Sequence, residues 1–251
     1  MVDYNQELIQ RGIDDGRKTL PRHKSKVWDP RASSILKGMV YHQSLEDYGT
    51  ASGNAAYHVG PNHLSDTGLP GLSYTMFVEK SGKIILANDV EDKTWSQGDR
   101  DLPGDENAEY MGVCFGGNFS GPGYDGPQTP TEAQLNSATL LWEIVSEIWS
   151  FDNNCLFGHY DFGKPSCPGY VLAGLIESVN RGVTWERGGF DLSTAAGRQQ
   201  ALKELDFFKD EVNGEWGPSS RYALTMFQRS VGLNPDGVFG KQTATALLQA
   251  L

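Results

Sequence analysis

The chain has 251 residues, 38% hydrophobic and 21% charged, which suits one large domain or a medium domain with a small companion. A formal charge of −11 argues against nucleic acid, whose binding relies on Lys and Arg neutralising phosphates, and against an anionic membrane surface. No run approaches the roughly 20 apolar residues of a membrane span, and the first residues have neither the positive nor the apolar region of a secretory leader. Three cysteines, Cys114, Cys155 and Cys167, cannot form a complete disulfide set, so synthesis in a reducing cytosol is expected, with at least one thiol kept for another purpose.

In chain order, Leu8, Ile9 and Ile13 suggest a short helix, and Ile35–His42 reads as a buried strand ending on a histidine. A stretch rich in Gly, Asn, Ser and Pro from Leu45 to Gly71 reads as loop, with His58 and His63 expected at its surface. Tyr74–Glu79 and Lys83–Leu86 flank Lys80-Ser81-Gly82, a hairpin signature in which Gly supplies the positive φ. After another Gly/Asp-rich loop, Tyr110–Gly116 is a strand. Thr129-Pro130-Thr131-Glu132 reads as a helix start with Thr129 as cap, followed by a stripe of Leu135, Ala138, Trp142, Val145 and Trp149. Cys155–Gly158 is a short strand leading into His159, and Pro168–Asn180 is a helix. Cys114 and Cys155, in apolar strands, read as buried thiols.

Strands interleaved with helices predict an α/β (α+β) domain over residues 1–185, with a mixed central sheet flanked by helices. Residues 186–197 lack periodicity and read as a linker. Beyond it Asn213–Leu224 returns 23 positions later as Asp236–Leu247, each copy an Asn/Asp-Gly turn, an aromatic plug and a Gly opening a helix. With a helix over Gln199–Phe208, the repeat predicts a small three-helix domain over 198–251.

Two histidines that end strands, His42 and His159, and Cys167, eight residues after His159, form a candidate metal set. A His₂Cys set leaves one corner of a tetrahedral Zn²⁺ open, which a catalytic zinc needs. Spacing alone does not separate these residues from ordinary core or surface positions, since no HExxH-type motif is present.

The surrounding segments do. Gly158-His159-Tyr160-Asp161 followed by Ser166-Cys167-Pro168-Gly169 resembles the second half-site of the zinc amidases related to T7 lysozyme and the peptidoglycan recognition proteins. Met39–Ser44 looks like that family's first-ligand strand, Tyr74–Gly82 like its Tyr-bearing hairpin, and Gly112–Phe119 like its Gly-Ile-x-Phe-x-Gly-Asn-Tyr strand. The likeness spans about residues 35–180 with the segments in order. It implies an N-acetylmuramoyl-L-alanine amidase acting on bacterial peptidoglycan, with Zn²⁺ held by His42, His159 and Cys167 and with Tyr74 as catalytic tyrosine, its phenol suited to the oxyanion of an attacked amide. Two departures stand out. The Lys that relatives carry two residues before the Cys ligand is replaced by Pro165, leaving Lys164 as the catalytic candidate or as a solvated loop residue. Thr94–Gly98 is similar to the family's Trp-His-x-Gly loop with Ser96 in place of His.

The C-terminal repeat resembles a widespread three-helix peptidoglycan-binding module through Phe227-Gln228, Gly232-Leu233, Asp236-Gly237, Phe239-Gly240 and Thr243. Beside an amidase it would raise local concentration at the wall. The combination points to a phage-type endolysin, a monomer held in the host cytoplasm until lysis, with a bacterial autolysin as second choice. Competing readings are a recognition protein that binds without cutting, which usually lacks the Cys ligand, and a zinc D,D-peptidase, whose Ser-x-His and Glu-x-His patterns are missing. A glycosidase would use two placed carboxylates and leave the His₂Cys set without purpose, and a structural zinc domain would not leave the metal open.

Overall fold

The computed structural model describes residues 2–46, 49–97, 104–119, 129–181, 192 and 194–250. It opens with α1 (Tyr4–Gln10), capped by the Asp3 carboxylate, which accepts from the Gln6 N–H at 3.0 Å. There follow β1 (Asp14–Asp15), β2 (Asp29–Pro30), β3 (Gly38–Gln43), α2 (Ala51–Val59), β4 (Met76–Val78), β5 (Ile84–Leu86) and β6 (Asp92–Lys93). Then come α3 (Glu106–Glu109), β7 (Tyr110–Phe115), α4 (Glu132–Trp149), β8 (Leu156–Gly158) and α5 (Tyr170–Asn180). The C-terminal bundle is α6 (Ala195–Glu204), α7 (Pro218–Ser230) and α8 (Lys241–Ala250), the last lying against α5.

Six strands form one sheet in the order β1-β5-β4-β7-β3-β8, all pairs parallel except the β4–β5 hairpin, while β2 and β6 make a separate antiparallel pair. The expected α/β class is therefore what the chain adopts. Strand alternation sorts the side chains. Met39 and Tyr41 of β3, Met76 and Val78 of β4, and Met111, Val113 and Phe115 of β7 enter the main core, covered by Leu135, Leu141, Trp142 and Val145 of α4 and Leu172, Leu175 and Ile176 of α5. Each such side chain contributes about 1.5–3 kcal/mol on burial. The buried Tyr41 hydroxyl donates to the Ala138 carbonyl at 2.6 Å, fixing β3 against α4. The intervening residues, Phe77, Ile85 and Cys114, face the other side with Ala51 and Ala55 of α2 and Leu72. His42 shares that second face.

Several expectations shift. The stretch from Leu45 to Gly71 contains α2: Thr50 caps it by accepting from the Gly53 N–H at 3.2 Å, and Ala51 and Ala55 pack on the sheet, so packing overrides the Gly and Asn read as breakers. α4 starts two residues later than read. Thr131, not Thr129, is its cap, in a reciprocal box with Gln134. Cys155 is half-buried in a 3₁₀ turn (Asn153–Cys155) rather than buried in a strand, its thiol 3.4 Å from the Asp152 carboxylate. Of the expected linker, 186–191 and 193 lie outside the described residues, as does the boundary at Trp185. Its end is helical, because Thr194 caps α6 through the Gly197 N–H at 2.9 Å. That helix ends at Glu204, not Phe208, where Asp206 turns the chain with φ 68°.

The bundle has its own core, built on Leu202, Phe208, Leu224, Phe227, Phe239 and Leu247. The repeat is organised around two buried glutamines. The Gln199 amide donates to Asn213 Oδ1 (3.0 Å), the Glu215 carbonyl (2.9 Å) and Ser220 Oγ (2.9 Å). Gln228 does the same with Asp236 Oδ1 (2.9 Å), the Val238 carbonyl (2.9 Å) and Thr243 Oγ1 (3.0 Å). The Arg198 guanidinium lies 5.8 Å from the Trp216 ring and 4.6 Å from the Phe239 ring, joining the two aromatic plugs.

Candidate metal centre

β3 and β8 run parallel with Tyr41 opposite Gly158, so the next residues, His42 near the end of β3 and His159 just past β8, stand side by side at the carboxyl end of the sheet. Their ring centroids are 4.3 Å apart. The following loop folds back on itself: the Lys164 N–H donates to the His159 carbonyl (3.1 Å), the Cys167 N–H to the Lys164 carbonyl (2.9 Å), and the Tyr160 N–H to the Cys167 carbonyl (2.9 Å). This returns the thiol to the imidazoles. One ligand atom each of His42, His159 and Cys167 lies within 4.8 Å of the others, so a single ion placed between them is within reach of all three.

The electrostatics suit a cation. His42 is 1% exposed, and neither of its ring nitrogens has a hydrogen-bond partner, a costly arrangement for a buried imidazole. Burial, helped by neighbouring His159, holds its pKa well below the usual value, so it is the neutral, ligand-competent form. His159 Nε2 lies 3.0 Å from the Gln97 carbonyl and must donate to it, which leaves Nδ1 with the lone pair. Burial pushes the Cys167 thiol up to about 12, opposed by the Gln43 N–H, 3.4 Å from Sγ, and by the charge of Lys164. Both opposing groups favour the thiolate that a metal requires. A set of two imidazoles and a thiol is borderline-soft, the chemistry of zinc rather than magnesium or calcium.

Tyr74 precedes β4 with its ring centroid 5.0 Å from that of His42. Burial, together with the thiols of Cys114 and Cys167, keeps its pKa well above the usual value, so the phenol stays protonated and able to donate. Its position is set by backbone contacts: the Asn88 amide donates to the carbonyls of Tyr74 (2.6 Å) and Leu72 (2.7 Å). Gly112 leaves the space beside it. A Cβ there would meet Ser96 Oγ at 2.1 Å and the Tyr74 ring at 3.5 Å. Lys164 is exposed on the returning loop, near enough for its charge to act on Cys167.

The structure thus gathers His42, His159, Cys167 and Tyr74, with Lys164 at the edge. It also corrects two readings. His58 is 6% exposed rather than on the surface; its ring lies 5.9 Å from that of Tyr74 and it accepts from the Ser73 N–H at 3.3 Å, whereas His63 is exposed as expected. Cys114 is buried as expected, and its thiol lies close enough to Tyr74 to help keep that phenol protonated, so it belongs to the site's floor. Sequence reasoning missed Gln97 and Asn88, which act through a backbone carbonyl and on backbone carbonyls. In the Thr94–Gly98 segment Ser96 is buried and donates to Gln97 Oε1 at 2.6 Å, while Gly98 lies outside the described residues.

Residues 32–170 match the family model for N-acetylmuramoyl-L-alanine amidase, and residues 198–247 match that for a peptidoglycan binding domain. No curated protein matches the chain. Among solved structures it is similar to the Ph2119 endolysin of the Thermus scotoductus MAT2119 bacteriophage (16% identity, TM-score 0.50, 67% of this chain and 98% of that one). It is also similar to the endolysin N-acetylmuramoyl-L-alanine amidase LysCS from Clostridium intestinale URNW (19%, 0.49, 68% and 96%) and to the Drosophila peptidoglycan recognition protein SD (13%, 0.47, 62% and 89%). At 16% identity the likeness to the Ph2119 endolysin speaks for the fold alone.

Proposed function

The chain belongs to the N-acetylmuramoyl-L-alanine amidase family, and we propose that it cleaves the amide between N-acetylmuramic acid and L-alanine with a Zn²⁺ held by His42, His159 and Cys167. The observation that carries the zinc is the pair of unpartnered nitrogens on buried His42, beside a second imidazole and a thiol. Bound there, zinc would supply a water activated near neutral pH and a polarised carbonyl. Each protein group then has a task. His42 and His159 are presented by rigid strand ends, and the Gln97 carbonyl fixes the tautomer of His159. Tyr74, held protonated, donates to the oxygen that gains charge when the amide carbon is attacked. Lys164 offers a second positive charge at the rim of the same site.

The C-terminal bundle holds the enzyme on its polymer, so that successive encounters become effectively intramolecular. Bacterial peptidoglycan is the partner of both parts. Among the described residues no helix is long and apolar enough to cross a membrane. An endolysin-type role, a lytic monomer that reaches the wall from the host cytoplasm at lysis, is the reading we favour for this pairing of domains.

Metal analysis of purified active protein tests the centre directly, and about one zinc per chain is expected. His42→Ala should lose metal and amidase activity together, while digestion by the parent protein creates new amino termini on L-alanine without new reducing sugars. Active protein free of metal would sink the zinc reading; new reducing ends would sink the amidase reading.

A further inference from the structure

The two copies of the C-terminal repeat differ, and the differences gather in one place. In the first, Gln199 reaches Asn213, 14 residues on; in the second, Gln228 reaches Asp236, 8 residues on, so the first connection is longer by six. The extra length lies partly in a longer α6 and partly in the segment after Phe207, since the turn between them recurs in the second copy, with Gly232 at φ 75° and the Leu233 N–H on the Gln228 carbonyl at 2.8 Å. Asp206 takes the left-handed φ of 68°, and the N–H groups of Phe207 and Phe208 return to the Leu202 carbonyl at 2.8 and 3.0 Å. Phe208 is buried in the bundle core. Phe207 is half-buried, edge-on to Phe227 with ring centroids 5.5 Å apart.

This turn and the first turns of α7, which bring Pro218, Ser219 and Tyr222, enclose an open pocket of about 410 Å³. Tyr222 is 67% exposed. Its counterpart 23 positions later is Thr245, whereas the neighbouring Ala223-Leu224 recurs as Ala246-Leu247. The repeat therefore does not need an aromatic at this position. Tyr222 and the segment Phe208–Asp210 are what the first copy has and the second lacks, whereas Phe207, Pro218 and Ser219 have counterparts in Leu233, Lys241 and Gln242.

Resting on the reading that the bundle binds wall polymer, we propose that this pocket takes a sugar of the glycan strand and that the second copy serves as scaffold. The exposed Tyr222 ring, beside Phe207, offers a flat apolar surface to the C–H face of a pyranose. Around it Ser219 presents a hydroxyl, Lys209 an ammonium and Asp210 a carboxylate, a rim that can donate to and accept from hydroxyl and acetamido groups. The rim is charge-balanced, with Lys209 also ion-paired to Asp206. That balance suits an uncharged sugar better than a stem peptide bearing carboxylates.

The test uses the full-length protein and glycan strands stripped of stem peptides, on which the amidase site has no bond to cut. The parent chain should co-sediment with these strands. Tyr222→Ala should weaken that binding about tenfold or more, as for a central aromatic anchor, while Tyr222→Phe keeps it. Ser219→Trp, which fills the pocket from its exposed rim, should weaken it too. All three should hydrolyse a small soluble muropeptide at the parent rate. If Tyr222→Ala and Ser219→Trp bind like the parent, the pocket is not the site, although wall binding by the bundle stands. Parent protein that binds intact peptidoglycan but not stripped strands would overturn the sugar in favour of the peptide. Parent protein that binds neither would overturn this proposal together with the wall-binding reading.

Discussion

Replacing Asn88 by Ala should disable catalysis without touching the metal. The Asn88 side chain is fully buried and makes four bonds. Its amide donates to the Leu72 and Tyr74 carbonyls at 2.7 and 2.6 Å, and its oxygen accepts from Trp28 Nε1 at 2.9 Å and from the Arg22 guanidinium. Three neutral bonds at about 1 kcal/mol and one charged bond, cut to about 1 kcal/mol by water reaching the partly exposed Arg22, suggest a loss of about 4 kcal/mol. For a chain of this size that lowers the melting temperature by roughly 8–16 °C. The functional cost is separate. Once its carbonyl is freed Tyr74 can shift, and a displacement of about 1 Å at a catalytic group costs on the order of 10²-fold in rate. Zinc content and KM should hold while kcat falls. Trp28→Phe is the control: it removes one bond on the acceptor side, so stability should drop by about 1–2 kcal/mol with kcat preserved. Steady-state kinetics, metal analysis and thermal unfolding on the three proteins decide the matter. An unchanged kcat in Asn88→Ala, or an equal loss in Trp28→Phe, would refute the assignment of Asn88 as the residue that positions Tyr74.

Burial and neighbouring His63 lower the His58 pKa to about 4, against 6.5 when unfolded. Between those values the unfolded chain binds a proton that the folded chain refuses, so stability should fall as pH drops below 6.5 and the loss should level off below 4, at about 3 kcal/mol; His58→Gln should flatten this part of a denaturant-measured stability curve, and superimposable curves would count against it. Gln228→Ala leaves Asp236, Val238, Thr243 and the Gly237 N–H without the amide they share. At about 2–4 kcal/mol that is serious for so small a core, and hydrogen exchange should quicken across 195–250 while the sheet amides stay protected.

The fold was legible where one periodicity ran long enough. The α4 stripe, the β4–β5 hairpin with Gly82 at φ 85°, and β3 ending near His42 all follow from local pattern. Local pattern misled where a tertiary partner decided the outcome. Gly53 and Asn54 read as breakers, but Ala51 and Ala55 have the sheet to pack against, and α2 forms. His58 sits on that helix, so misreading the helix also put the histidine in solvent. At the site, the grouping of His42, His159, Cys167 and Tyr74 was visible because side-chain chemistry is written in residue identity. Gln97 was not, since any residue type can offer a carbonyl. Asn88 looked like one more polar residue after a strand, and only the meeting of Arg22, Trp28, Leu72 and Tyr74 around it gives it a task.

The same register that stabilises the sheet also aims the site. In β3, Tyr41 and His42 point to opposite faces, and a slip of one residue against β7 or β8 would exchange them. Such a slip is opposed from the structural side. Tyr41 fills the main core and spends its hydroxyl on the Ala138 carbonyl, while Met39 packs beside it. On the opposite face His42 makes no hydrogen bond and Gly112 of β7 has no side chain to contribute, so only the burial of Val40 adds to the opposition there among the described β3 residues. The precision of His42 is therefore set by contacts it does not make itself. That arrangement lets a buried imidazole remain unpartnered, at an energetic cost the main core can absorb, and keeps its lone pair available for a metal. It also locates vulnerability: substitutions at Tyr41 or Ala138, which touch no substrate, act on the face where the chemistry is done by loosening the register that presents it.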